Sequence, residues 1–131
     1  MKLRFIIISD NAFADETGRL SIIQAFDIIK APSFPAIHPR LSIVARWDLE
    51  NDAEKRQSHK QEIIIREKNS GKIIAQAPER EITAKPGQDS SLQFITNIVG
   101  LKFDYAGTYQ VQIRLDDTQE EVNLEVKKEP N

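Results

Sequence analysis

The sequence predicts an all-β fold, an antiparallel β-sandwich of seven to eight strands, from three observations. The first is the kind of apolar residue it uses. Eighteen Ile and five Val stand against eight Leu, and side chains branched at the β-carbon lose rotamer freedom in a helix while fitting a pleated surface. The second is punctuation. Turn signals recur at short intervals, as DETG at 15–18, APSFPAIHP at 31–39, NDAEKRQSH at 51–59, KNSG at 68–71, KPGQD at 85–89, DYAG at 104–107 and DDTQ at 116–119. The third is alternation, which shows most clearly near the C-terminus. There Tyr109, Val111, Ile113 and Leu115 oppose Gln110, Gln112 and Arg114.

In chain order, FIII at 5–8 belongs to a first strand that stops at Asp10. Gly18 suits the left-handed position of a three- to four-residue hairpin loop, which would set the register of the first two strands. Ile22–Ile23 and Ile28–Ile29 place Ile on both faces of the second strand, an unusual surplus for a hairpin with one wet side. Phe34 before Pro35 is expected to be extended, so that the loop lays Phe34 and Ile37 over an open sheet end. In 41–49, Leu41, Ile43, Ala45, Trp47 and Leu49 share one side of a pleat, and Ser42, Arg46 and Asp48 the other. LENDAEKRQSHK at 49–60 is the one helical candidate, but it has no apolar stripe and reads as a solvated loop. DDTQ joins the last two strands into a hairpin with one oily face. The 131 residues suffice for one core. The domain is read as residues 1–127, with 128–131 a fraying tail.

Composition narrows function by exclusion. Net charge is −2, and Lys and Arg are scattered among acids, so nothing forms the basic stripe that displaces phosphate counterions; nucleic acid is not an expected partner. Without Cys there is no disulfide scaffold, thiolate zinc site or cysteine nucleophile. The apolar run after Met1 is too short for a secretory h-region, and no run reaches the ~20 residues of a membrane helix. The expected location is the cytoplasm, with no membrane partner. Ser9, Ser58 and Ser70 lack a Gly-x-Ser-x-Gly frame, and neither a Walker loop nor a Gly-x-Gly-x-x-Gly fingerprint occurs. No catalytic residue and no cofactor are expected.

The candidates that remain concern binding. The surplus Ile nominates Ile6, Ile8, Ile23 and Ile29 as an interface with another chain, unless the Pro-rich loop 31–39 covers both faces within one molecule. Phe34 and Trp47 are candidates for a ligand groove, although the pleat parity of Trp47 favours burial, with its indole N–H needing one partner. His38 and His59 lie in different loops, without zinc spacing, and read as surface residues. Asp116, Asp117 and Glu120 at one tip, and Asp10 and Asp15 at another, are the acids a calcium site would draw on; turn acids are the plainer reading.

FDYAGTYQVQI at 103–113 resembles the tyrosine corner of immunoglobulin-like domains, with Gly107 turning the chain and Tyr109 placing its ring inward and its hydroxyl near a backbone group. Val111 holds the place often taken by Cys. The resemblance makes the expected sandwich immunoglobulin-like. A longer stretch, 8–47, resembles the opening of a family of small bacterial and phage-borne domains of unknown function. It is carried by Gly18-Arg19-Leu20, Phe26-Asp27 and Phe34-Pro35-Ala36, with Gly71 and Gly107 fitting later. This implies a compact β-sandwich and assigns no catalytic residue. The expected function is a non-enzymatic interaction or assembly module, self-associating or binding a protein through the Ile-rich hairpin or a strand edge. The alternative is a sandwich that binds a small ligand or calcium through its loop ends.

Overall fold

In the computed structural model, which describes residues 1–84 and 90–130, the chain is all-β with one short helix. The turn expected over KPGQD at 85–89 lies outside the described residues. Among the described residues nine strands run in the order β1 (Lys2–Ala14), β2 (Leu20–Ala25), β3 (Ile28–Ala31), β4 (Ala36–Asp48), β5 (Ser58–Glu67), β6 (Ile73–Thr83), β7 (Ser91–Phe103), β8 (Gly107–Leu115) and β9 (Thr118–Lys128). The sequence led us to expect seven to eight among these. The strands form two sheets, ordered β2-β1-β4-β7 and β3-β9-β8-β5-β6. Both sheets contribute to one core, with Ile43, Trp47 and Phe94 from the first meeting Ile65, Val111 and Leu124 from the second.

The extra strand comes from the segment read as one long second strand. Gln24 has φ +53, and the chain then leaves the first sheet at Phe26-Asp27 and enters the second. Ile28 and Ile29 therefore belong to β3, which pairs with β9 in parallel, contrary to the all-antiparallel expectation. The aromatic-Asp pair is thus the crossing point between sheets. Phe26 N donates to the Ile8 carbonyl, and the Asp27 carbonyl accepts from Glu125 N, each at 2.9 Å.

The first sheet is strongly curled, and this explains the two-faced Ile pattern. β1 pairs with β4 only through Lys2–Ser9 and with β2 only from Ser9 onward. Past that point the hairpin doubles back. The Gly18 carbonyl accepts from Gln93 Nε2 at 3.3 Å, and Gln93 lies beside Arg46, far along β4 from the Ser42 level at which β1 departs. The hairpin thus lies over the outer face of its own sheet, where Ser9, Ser42 and Val44 are fully buried. Cover comes from this fold-back and not from the Pro-rich loop. Its tip is fixed locally: Asp15 accepts from Thr17 N, Thr17 Oγ1 and Arg19 N, and Gly18 sits at φ +86.

β4 and β7 pair along their full length, with a change of phase midway. Gly100, at φ +68 and opposite Pro39, turns the strand so that Leu101 and Phe103 return to the core side after Val99 has faced solvent. Pro39 costs no ladder bond on the β1 side, since β1 has not yet joined β4 there. Phe34, joined to Pro35 by a cis peptide, packs against the core, whereas Ile37 is 66% exposed.

Residues 52–56, expected as loop, form a helix, α1 (Asp52–Arg56). Its signal is an Asn-x-x-Glu box instead of an apolar stripe. Asn51 Oδ1 accepts from Glu54 N at 2.9 Å, while the Glu54 carboxylate accepts from Asn51 Nδ2 at 3.0 Å. The final hairpin is as expected: Leu115 pairs with Thr118 across Asp116 and Asp117, and Asp116 has φ +51. Tyr109 is buried, its ring lies edge-on to Phe103 at 4.8 Å, and its hydroxyl donates to the Tyr105 carbonyl at 2.7 Å.

Candidate functional site

The curl of the first sheet and the shortness of β3 leave two strand edges uncovered on the same flank. On β1, Lys2–Ile8 pairs with β4 on one side, and β2 joins the other side only from Ser9. On β9, Thr118–Leu124 pairs with β8, and β3 covers only Glu125–Lys128. No strand among the described residues pairs with the outer side of either stretch.

These two edges run alongside one another in the same sense. At one end, the Met1 amino group meets Glu54 Oε1 at 3.0 Å, and His59 links the Glu54 carbonyl to Asp116, just before β9. At the other end, the Phe26-Asp27 crossing ties Ile8 to Glu125. Between the two ends lies a cleft of about 340 Å³ lined by Ile6, Ile8, Phe26, Val122 and Asn123 among others. At ~3.3 Å per residue each free edge is on the order of 20 Å long.

The pleat decides what each edge offers. The Ile8 carbonyl points away from β4, toward Phe26, so the backbone N–H and C=O of Ile6, two residues earlier, face the flank as well. The Glu125 N–H points away from β8, and those of Glu121 and Asn123 share its direction. The side chains of Ile6 and Val122 pack partly against the core, giving the cleft an apolar floor. Backbone donors and acceptors above such a floor are what an added strand requires.

The near end of the flank is closed by a charged pair of one buried imidazole and one partly exposed carboxylate. His59, expected at the surface, is fully buried. Its Nε2 lies 2.6 Å from the Glu54 carbonyl and its Nδ1 2.6 Å from Asp116 Oδ2. A carbonyl and a carboxylate can only accept here, so both ring nitrogens donate and the ring carries positive charge. Burial alone pushes the His59 pKa down, but the bond to the Glu54 carbonyl and the bond and charge of Asp116 outweigh it, leaving a net rise. Asp116 is displaced the other way. Burial works to raise its pKa, yet the Lys60 N–H at 3.0 Å and His59 hold it below the usual carboxylate value. His38 is also no free surface residue: it lies 3.5 Å from Asp10 and packs on the Phe26 ring.

The chain is matched over residues 4–127 by the model of a family of unknown function, DUF6941. It belongs to the DUF6941 family. No curated protein and no solved structure is significantly similar to it. What this DUF6941 chain can do must therefore be read from its own residues.

The nominated residues divide on this map. Ile6 and Ile8 line the cleft, and Ile8 is only 4% exposed. Ile29 is half-buried on β3, at the far end of the same flank. Ile23 is elsewhere: with Phe13 it sits on the outward side of the folded-back hairpin, 45% exposed. The Phe34 and Trp47 groove does not form in this DUF6941 chain. They lie near opposite ends of β4, on the order of 35 Å apart along the strand, and Trp47 is fully buried with its indole N–H donating to Gln61 Oε1 at 3.2 Å. The loop acids are engaged locally, Asp15 with its own turn and Asp116 with His59 and Lys60. Among the described residues no group of three or more His, Asp or Glu could hold a metal. Sequence reading missed Val122 and Asn123 as site residues, because strand alternation marks the wet face of β9 but not its uncovered edge.

Proposed function

We propose that this DUF6941 chain is a non-enzymatic protein-interaction or assembly module that docks an extended segment of another chain along the flank between β1 and β9. The observation that carries the reading is the pair of uncovered edges, Lys2–Ile8 and Thr118–Leu124, on either side of an apolar cleft floored by Ile6 and Val122. An added strand would gain backbone hydrogen bonds from either edge and would bury alternate side chains in the cleft. The finer fold we assign is an immunoglobulin-like sandwich; two sheets around one core and the Tyr109 hydroxyl bound to a carbonyl four residues upstream support it. The cytoplasm of a bacterial or phage-infected cell is the setting we assign, on the sequence resemblance alone.

Site-specific photo-cross-linking in cells tests the reading. A benzoylphenylalanine replacing Asn123, beside the cleft, should give a covalent adduct of defined mass. The same probe replacing Gln76, on the β6 strand of the opposite flank, should give none. Absence of any adduct at Asn123, or equal adducts at both sites, contradicts the proposal.

A further inference from the structure

We infer that the segment docked on this flank is β3 of a second copy of the same chain, so that the protein is a two-fold homodimer built through its five-stranded sheet. The inference rests on the docking role proposed above and names the occupant of that site. Its basis is the stepped edge of the sheet. β3 covers β9 along Glu125–Lys128 and stops, leaving Thr118–Leu124 recessed by one strand width, while the outer side of β3 pairs with nothing among the described residues. A step of this kind is complementary to itself. A two-fold axis perpendicular to the sheet sets β3 of each copy into the recess of the other, and the same patch serves both subunits.

Strand sense, pleat parity and charge agree with that arrangement. β3 runs parallel to its own β9, so its two-fold mate arrives antiparallel to the free stretch of β9, which is the more stable pairing. Ile29 and Ala31 face the core as Val122 and Leu124 do, whereas Ile28 and Lys30 face outward as Glu121 and Asn123 do. Addition of β3 therefore continues the sheet with apolar beside apolar, and it covers Ile28, which is 41% exposed. The charges of the flank are also divided end from end. The β3 end carries Lys30, Lys127 and Lys128 against Asp27 and Glu129, whereas the recessed end carries acids alone, Asp117, Glu120 and Glu121, all of them exposed. Antiparallel docking of two copies sets each basic end against an acidic one, whereas docking in the same sense would set like against like. A uniformly basic peptide, the other segment suited to the acidic end, would be repelled by the lysines beyond it.

Sedimentation equilibrium over a hundredfold range of concentration tests this. The wild-type mass should rise from 14.9 kDa toward twice that value. Lys30→Glu and Glu121→Lys, both on exposed outer-face positions, should each weaken the dimer at least tenfold while keeping the native circular dichroism spectrum. An equimolar mixture of the two variants should dimerise again, because both symmetric contacts then join opposite charges. A wild-type chain that stays at single-chain mass, or a dimer indifferent to both substitutions, overturns the inference. If the chain is monomeric and Asn123 cross-links to a different protein, the two-fold assembly fails while the docking role stands. If it is monomeric and Asn123 cross-links to nothing, both fail.

Discussion

His59 carries the most consequential chemistry of any single residue. It is a fully buried imidazole with an acceptor on each nitrogen, and it fastens α1 to the β8–β9 turn at the near end of the flank. Because its folded pKa lies above its ordinary value of 6.5, its contribution to stability is complete below that value and is lost as pH rises through the raised folded pKa. Asp116 works in the opposite sense. With its folded pKa below 3.8, its contribution is present above that value and disappears as pH falls through the depressed one. Thermal midpoints measured across pH should therefore be highest between these two limits. His59→Ala, which leaves the Glu54 carbonyl without the ring and Asp116 with only the Lys60 N–H and water, should cost about 1–3 kcal/mol at pH 6 by chemical denaturation. Asp116→Asn tolerates the positive φ and should move the alkaline loss of stability to lower pH. An unchanged pH profile in Asp116→Asn would show that the pair does not set it.

At the scale of elements, the controlling features are places where a strand changes partner or phase. Gly100 is the clearest, since its φ of +68 returns Leu101 and Phe103 to the core and no heavy atom lies within 4 Å of a Cβ built there. Gly100→Ala should therefore destabilise through the backbone alone, by about 1–2 kcal/mol in urea unfolding. A loss near zero would mean that β7 can take its turn without a left-handed residue. Such places also mark where the sequence stopped being legible. Alternation along β4, β8 and β9 correctly marked Trp47, Tyr109 and Leu124 as inward, because side-chain period is a local property. It could not show that Ile28 and Ile29 start a new strand in the other sheet, since crossing at Phe26-Asp27 depends on contacts with Ile8 and Glu125 far along the chain. Nor could it find His59, whose partner Asp116 is distant in sequence and whose neighbours Ser58 and Lys60 read as a wet loop. The helix over Asp52–Arg56 had a signal in the Asn51–Glu54 box, which the missing apolar stripe outweighed.

The whole molecule resolves the puzzle of its Ile-rich beginning in two ways. Folding the first hairpin over its own sheet covers the outer face at Ser9, Ser42 and Val44, while Ile23 and Ile28 stay exposed, so the surplus is only partly satisfied within one chain. That same departure uncovers the early part of β1, and the short β3 uncovers the early part of β9. Ile6 and Val122 are left lining an open flank instead of a closed interior. Natural sheets protect long bare edges with charges, bulges or a partner. Here the bulge between Leu3 and Phe5 and the acids of β9 give partial protection, and a docked strand would complete it. The most direct measurement is residue-resolved hydrogen exchange at two protein concentrations, on the amides of Glu121 and Asn123, with Ile65 in the centre of β5 as the internal reference. These two flank amides should exchange rapidly in dilute solution and slow by at least tenfold when the chain is concentrated, while Ile65 stays protected throughout. Flank amides already as protected as Ile65 in dilute solution, or equally fast at both concentrations, would contradict the account.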